Sequence, residues 1–134
     1  MGASADVTTL VMEFVGEVNS GKVERALARF SNDATIVEDI APFTWQGPDA
    51  GSQWLAAMAT NAKRLGVTSI AMELGEARRI EVEERAAYAI FAGTVQLEQA
   101  DRTLRESGLL TFALARNLDQ WLITAMTWTG ERPK

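Results

Sequence analysis

Apolar residues recur at helical spacing in the first half of the chain and at alternate positions in the second. Val7, Leu10, Val11, Phe14, Val15 and Val18 fall on one stripe, and that spacing predicts a helix from about Ala5 to Asn19. Ser4 reads as its N-cap, Asp6 as a first-turn acid and Gly21 as its stop. Val23, Ala26, Leu27 and Phe30 predict a second, shorter helix with Lys22, Glu24, Arg25 and Arg29 on its outer side. Trp54, Leu55, Met58, Ala62 and Leu65 mark the buried stripe of a third, running from Pro48 to about Leu65. Pro48 suits a first helical position, and Gly66 ends the helix.

After Gly66 the period changes to two. Ile70, Met72 and Leu74 alternate with Ser69, Ala71 and Glu73, and the extended pattern continues through Val82 with a bulge expected at Gly75. A charged turn at Glu83, Glu84 and Arg85 precedes a long strand from Ala86 to Glu98. Strands from Thr103 to Arg116 and from Gln120 to Trp128 complete a meander. Helices first and long antiparallel strands afterwards define an α+β fold with segregated layers, read as a single domain over 1–134. Leu109, Leu110, Phe112, Ala113 and Leu114 are apolar at both parities, so both faces of the sheet call for cover. The helices can layer one face. The other is expected to meet a second copy, giving a homodimer through the sheet.

Composition removes several classes of chemistry. The chain of 134 residues has no cysteine and no histidine. Ser-His-Asp and Cys-His mechanisms, disulfides and Cys-based zinc sites are therefore excluded. A metal would have to be held by carboxylates, and no D-x-D-x-D-G pattern occurs. The net charge of −5 argues against nucleic acid. No glycine loop cradles phosphates, and no run approaches the roughly 20 apolar residues of a membrane span. The expectation is a cytoplasmic protein with no cofactor and no metal.

The remaining chemistry concentrates in Asn32 to Gly47, N-D-A-T-I-V-E-D-I-A-P-F-T-W-Q-G. A turn and a short β-type segment, Ala34 to Val37, end at two carboxylates, Glu38 and Asp39, set among Ile36, Ile40, Phe43 and Trp45. One reading makes Glu38 a pocket base whose pKa is raised by apolar neighbours. The other makes it a strand-end carboxylate in solvent, or one capping Trp45 or a backbone amide. Strand alternation would let only one of the pair face a pocket, and Glu38, in phase with Ile36, is favoured. Trp45, Trp54 and Trp128 suit either a ligand wall or plain core. Trp121, on the opposite parity to Trp128, reads as an interface residue. Tyr88 is the single phenol. Thr94, Thr111, Thr124 and Glu73 are polar positions within apolar strands, and Arg105 reads as a surface partner of Glu98 or Glu106.

The order helix, helix, D-A-T-I-V-E-D, P-F-T-W-x-G, helix and a meander ending in W-x-I-T-x-x-T-W resembles the nuclear transport factor 2-like superfamily, and within it the SnoaL-like proteins. The resemblance spans roughly Val7 to Trp128. It implies a cone-shaped half-barrel, three N-terminal helices packed on a curved, mostly antiparallel sheet, enclosing a pocket for a small apolar molecule. The superfamily includes ketosteroid isomerase, whose base stands third after the Thr of its D-A-T-V-E-D motif. That position is Glu38 without a gap and Asp39 with one inserted residue. The isomerase's oxyanion donors do not carry over: its first-helix Tyr corresponds to Phe14, and its protonated Asp falls near Thr111. True ketosteroid isomerase activity is not expected. Dehydratase chemistry in this family leans on histidines that are missing here. The resemblance implies Glu38 or Asp39 as catalytic acid/base, with Phe14, Trp45, Trp54, Met58, Tyr88, Thr111 and Trp128 around the ligand. The alternative is non-catalytic binding, or homodimeric assembly.

Overall fold

The computed structural model describes residues 2–131. Three helices, α1 (Ala3–Asn19), α2 (Val23–Leu27) and α3 (Ala50–Arg64), accompany six strands. These are β1 (Phe30–Val37), β2 (Thr44–Gln46), β3 (Val67–Val82), β4 (Ala86–Gln99), β5 (Arg102–Asn117) and β6 (Gln120–Gly130). They form one curved, unclosed sheet in the order β2-β1-β6-β5-β4-β3. All neighbours are antiparallel except β1 and β6.

Helix α1 buries the stripe read from its spacing, Val7, Leu10, Val11, Phe14 and Val15. Its start differs from expectation. Gly2, not Ser4, stands at the cap, and the Ser4 carbonyl instead accepts a hydrogen bond from the Thr8 hydroxyl inside the helix (3.0 Å). Its end follows the glycine logic: Gly21 adopts φ 72°, its N–H reaches Val18 O, and the Lys22 N–H reaches Glu17 O. This is the paired closure that a left-handed glycine permits. Helix α2 is shorter than its pattern suggested. Val23 is exposed, and Phe30 opens β1 instead of ending the helix. Arg29 is not an outer residue but half-buried, donating from Nε and Nη2 to the two carboxylate oxygens of Glu17 on α1 (3.0 and 2.8 Å). Helix α3 starts later than Pro48, with Asp49 at its cap position.

The meander matches its reading closely, and the register of β3 on β4 shifts between Leu74 and Ala77, around Gly75. Strand β2 was not legible because it is only three residues long, and the parallel β1–β6 pair was not because its partners are distant in sequence. Leu110, Phe112 and Leu114 of β5 face the helices together with Ala87, Ala89 and Phe91 of β4. On β6 the register shifts between Ala125, opposite Ala113, and Ile123, opposite Leu114. The extra residue restores the inward phase, so Trp121 and Ile123 face the core together with Met126. Trp121 is thus a buried core residue, not the interface residue that strict alternation assigned. The other face of the sheet carries Ile90, Leu109, Thr111 and Ala113, half-buried, with Tyr88 exposed. No helix of the described residues is long and apolar enough to cross a membrane.

Candidate functional site

The helices and the sheet do not meet along their whole length. Between α1, α3 and the inner sheet face lies a cavity of about 1030 Å³. Two of its lining residues, Phe14 and Trp54, belong to an aromatic cluster. Phe14 stacks on Trp54 (ring centroids 6.5 Å) and meets Phe112 edge-on (6.1 Å) and Phe30 edge-on (5.3 Å). Such pairs each add about 0.5–1.5 kcal/mol beyond their burial. The cluster makes this wall stiff. The stripe of α3 read as core turns out to be the cavity's side wall: Leu55 and Met58 are half-buried and Leu65 is largely exposed. Helical periodicity marks a face that avoids water without saying what fills the space opposite.

Glu38 stands one residue beyond the end of β1. Its backbone N–H donates to Phe43 O (3.0 Å), closing the base of the loop to β2, and Phe43 holds φ 77°. A non-glycine residue in that region of backbone space marks a constrained loop. Phe43, Ile40 and Ala41 line the cavity from this loop, and Phe43 is exposed. The Glu38 carboxylate lies half-buried in the cavity wall and accepts a hydrogen bond from Trp54 Nε1–H at 2.8 Å. The indole it caps belongs to Trp54, not Trp45. Burial pushes the Glu38 carboxyl above its ordinary value; the Trp54 hydrogen bond pulls the other way, and the negative charge of Asp39 adds to the rise. A carboxyl displaced upward in an apolar enclosure is a stronger proton acceptor than one in water.

The two acids are not alternatives as strand alternation implied. β1 ends at Val37, the alternation lapses, and both Glu38 and Asp39 line the cavity, Asp39 being exposed. Of the other residues proposed around a ligand, Phe14, Trp54, Met58 and Trp128 line the cavity, while Trp45, Tyr88 and Thr111 do not. Trp45 pairs with Ile36 and is buried in the core. Tyr88 and Thr111 alternate with the inward residues Ala87, Ala89, Leu110 and Phe112, and so take the opposite sheet face. At the level where the isomerase carries its acid, the inward residues are therefore Leu110 and Phe112. Glu106 escaped the sequence reading: it is not a surface partner of Arg105 but lines the cavity, where Trp128 Nε1–H approaches its Oε1 at 3.4 Å. Its parity, shared with Leu110 and Phe112, was the available signal. No group of three acidic side chains among the described residues is arranged to hold a metal ion.

No family model matches the chain, and no curated protein matches it. Solved structures do. The hexachlorocyclohexane dehydrochlorinase LinA-type3 from Novosphingobium barchaimii LL02 superposes with a TM-score of 0.78 at 14% identity, over 96% of this chain and 86% of that one. An NTF2-like protein of unknown function from Pseudomonas putida KT2440 gives 0.75 at 15% identity, over 93% and 84%. A scytalone dehydratase-like protein from Novosphingobium aromaticivorans DSM 12444 gives 0.74 at 13%, over 94% and 82%. Likeness at such identity speaks to the fold alone. The α+β architecture derived from the alternation of helical and extended patterns is the nuclear transport factor 2-like fold.

Proposed function

We propose that this chain takes a small, largely apolar molecule into the cavity and that Glu38 acts on it as a general base. The observation that carries this reading is the Glu38 carboxylate: half-buried in an apolar wall, oriented by the Trp54 indole, and displaced upward by burial. A base so placed removes a proton from a carbon or hydroxyl of the bound molecule, and the electron pair moves to a double bond or a leaving group. The protonated Glu38 can then return the proton. Isomerisation, cyclisation and elimination share that step. The fold neighbour named for dehydrochlorination lends support, since its name denotes removal of a small molecule from a substrate. Ketosteroid isomerisation is disfavoured, since Phe14 and the inward residues Leu110 and Phe112 offer no hydroxyl or acid to an oxyanion.

That same shortage favours a second reading, binding without chemistry. A thermal-shift screen of small apolar compounds on the wild type and Glu38→Gln, followed by mass spectrometry of each hit, separates the two. The base reading expects hits that stabilise both proteins and are converted only by the wild type. Hits that neither protein converts leave a binding protein, and conversion by both removes Glu38 as the base. We also propose a homodimer through the outer sheet face, where Ile90, Leu109 and Ala113 remain half-exposed beside Tyr88. Sedimentation that stays monomeric at micromolar protein refutes it.

A further inference from the structure

Three glycines stand side by side across the inner face of the sheet. Gly93 pairs with Gly108 between β4 and β5, and Gly108 pairs with Gly130 between β5 and β6. Gly93 and Gly108 lie in strand interiors, where a glycine packs no side chain and weakens the strand. A row of them calls for something that needs the space. The Trp128 indole takes it. A Cβ on Gly108 would lie 2.8 Å from Cζ2 and 2.9 Å from Cη2 of its ring, and one on Gly93 would lie 3.4 Å from Cζ3. The six-membered half of the indole therefore reaches from β6 across β5 toward β4, low against bare backbone. Its Nε1–H stands 3.4 Å from Glu106 Oε1, which helps to fix the ring on this shelf.

We propose that the Trp128 ring is a stacking platform by which the cavity selects a planar aromatic molecule over a saturated one of the same skeleton. This deepens the reading of the cavity as a ligand site and rests on it. Trp128 lines the cavity and is only half-buried. The aromatic pairs among the described residues join Phe14, Phe30, Trp54 and Phe112, and none includes Trp128. The protein's own rings thus leave this indole unstacked, at a place where bare backbone was needed to seat it. A methyl group on Gly93 or Gly108 would press the ring outward into the cavity; glycine keeps the ring down and the space above it open. An aromatic ligand in that space gains ring–ring attraction in addition to burial, which corresponds to about fivefold in affinity. A saturated ring system is thicker and has no quadrupole, so it gains from burial alone.

The test uses two matched probes, 2-naphthylmethanol and its decahydro counterpart, titrated calorimetrically into the wild type and Trp128→Leu. Both probes carry the same carbon skeleton and one hydroxyl, so burial alone gives the naphthyl compound no advantage. The wild type should bind the naphthyl probe about fivefold tighter than the saturated one. Trp128→Leu, which keeps apolar bulk and removes the ring, should bring the two within about twofold. Should Trp128→Leu fail to fold, the assigned indole N–H resonance of Trp128 in the wild type reads the same contact. The naphthyl ring current should shift it well beyond the shift caused by the decahydro probe. Equal or tighter binding of the saturated probe by the wild type, a preference that survives Trp128→Leu, or equal shifts of the Trp128 resonance overturns the platform alone. Binding of neither probe overturns the cavity reading with it.

Discussion

Glu38→Gln isolates the balance of forces at the cavity carboxylate. Ionised Glu38 suffers from burial and from Asp39 and gains from the Trp54 indole, and the upward displacement of its pKa says that the unfavourable side wins. The sign for stability follows. The folded state holds this proton more tightly than the unfolded chain does, so stability is greatest below the unfolded value, about 4.3 for glutamate. It falls as pH rises through the raised folded value. Glutamine keeps an acceptor for Trp54 Nε1 and gives up the charge. The charge-assisted part of that hydrogen bond, about 1 kcal/mol, is lost, and the larger desolvation cost is relieved. The net gain expected at neutral pH is on the order of 1 kcal/mol. For a chain of this length the unfolding entropy is roughly 280 cal/mol/K, so 1 kcal/mol moves Tm by roughly 3.6 °C. Calorimetric Tm values from acidic to neutral pH should coincide for the two proteins at the acid end, with Glu38→Gln drawing ahead as pH rises. A wild type more stable than Glu38→Gln at neutral pH, or a gap independent of pH, refutes the reasoning.

Three further perturbations probe the frame around the site. Asn19 clasps edge strand β3, its Nδ2 donating to Met72 O (2.7 Å) and its Oδ1 accepting from Met72 N–H (3.0 Å); Asn19→Ala should cost about 1 kcal/mol by denaturant unfolding and raise amide exchange at Met72. Arg29 hydrogen bonds hold the Glu17 carboxyl below its ordinary value, so this pair contributes stability above the unfolded glutamate pKa and loses it as pH falls through the depressed folded value. Arg29→Gln should therefore destabilise by about 1–2 kcal/mol at neutral pH and by less in acid, read from urea midpoints. Gly108→Ala sets a methyl group against Thr129 O and the Trp128 ring; it should destabilise by about 1–3 kcal/mol and change Trp128 fluorescence, whereas an unchanged spectrum would contradict the seating of the indole.

The fold was legible because its signals are local. The stripe of α1, the change of period after Gly66 and the charged turn at Glu83 to Arg85 each sit within one short window. The site was legible only where an element boundary was also right. Glu38 could be singled out as an acid among apolar neighbours, but pairing it against Asp39 assumed that β1 continued, and β1 stops at Val37. Trp121 was assigned to the wrong face because one extra residue in β6 inverts the phase, and a bulge leaves no mark in an alternating pattern. Glu106 looked like half of a surface ion pair because its place on the cavity wall follows from the parity it shares with Leu110 and Phe112 along β5, and the sequence alone did not say which parity faces the helices. The stripe of α3 could not distinguish a core from a cavity wall, since both select the same side chains.

The most direct measurement is a site-specific titration of the Glu38 carboxyl carbon by NMR on protein carrying 13C-glutamate, assigned by its disappearance in Glu38→Gln. A transition above those of the exposed glutamates, moving further up in Trp54→Phe where the indole N–H is gone, is what a poised base in an apolar cavity requires. Titration together with the exposed glutamates, unmoved by Trp54→Phe, would mean that Glu38 stands in water, and the proposal that it acts as a cavity base would fall.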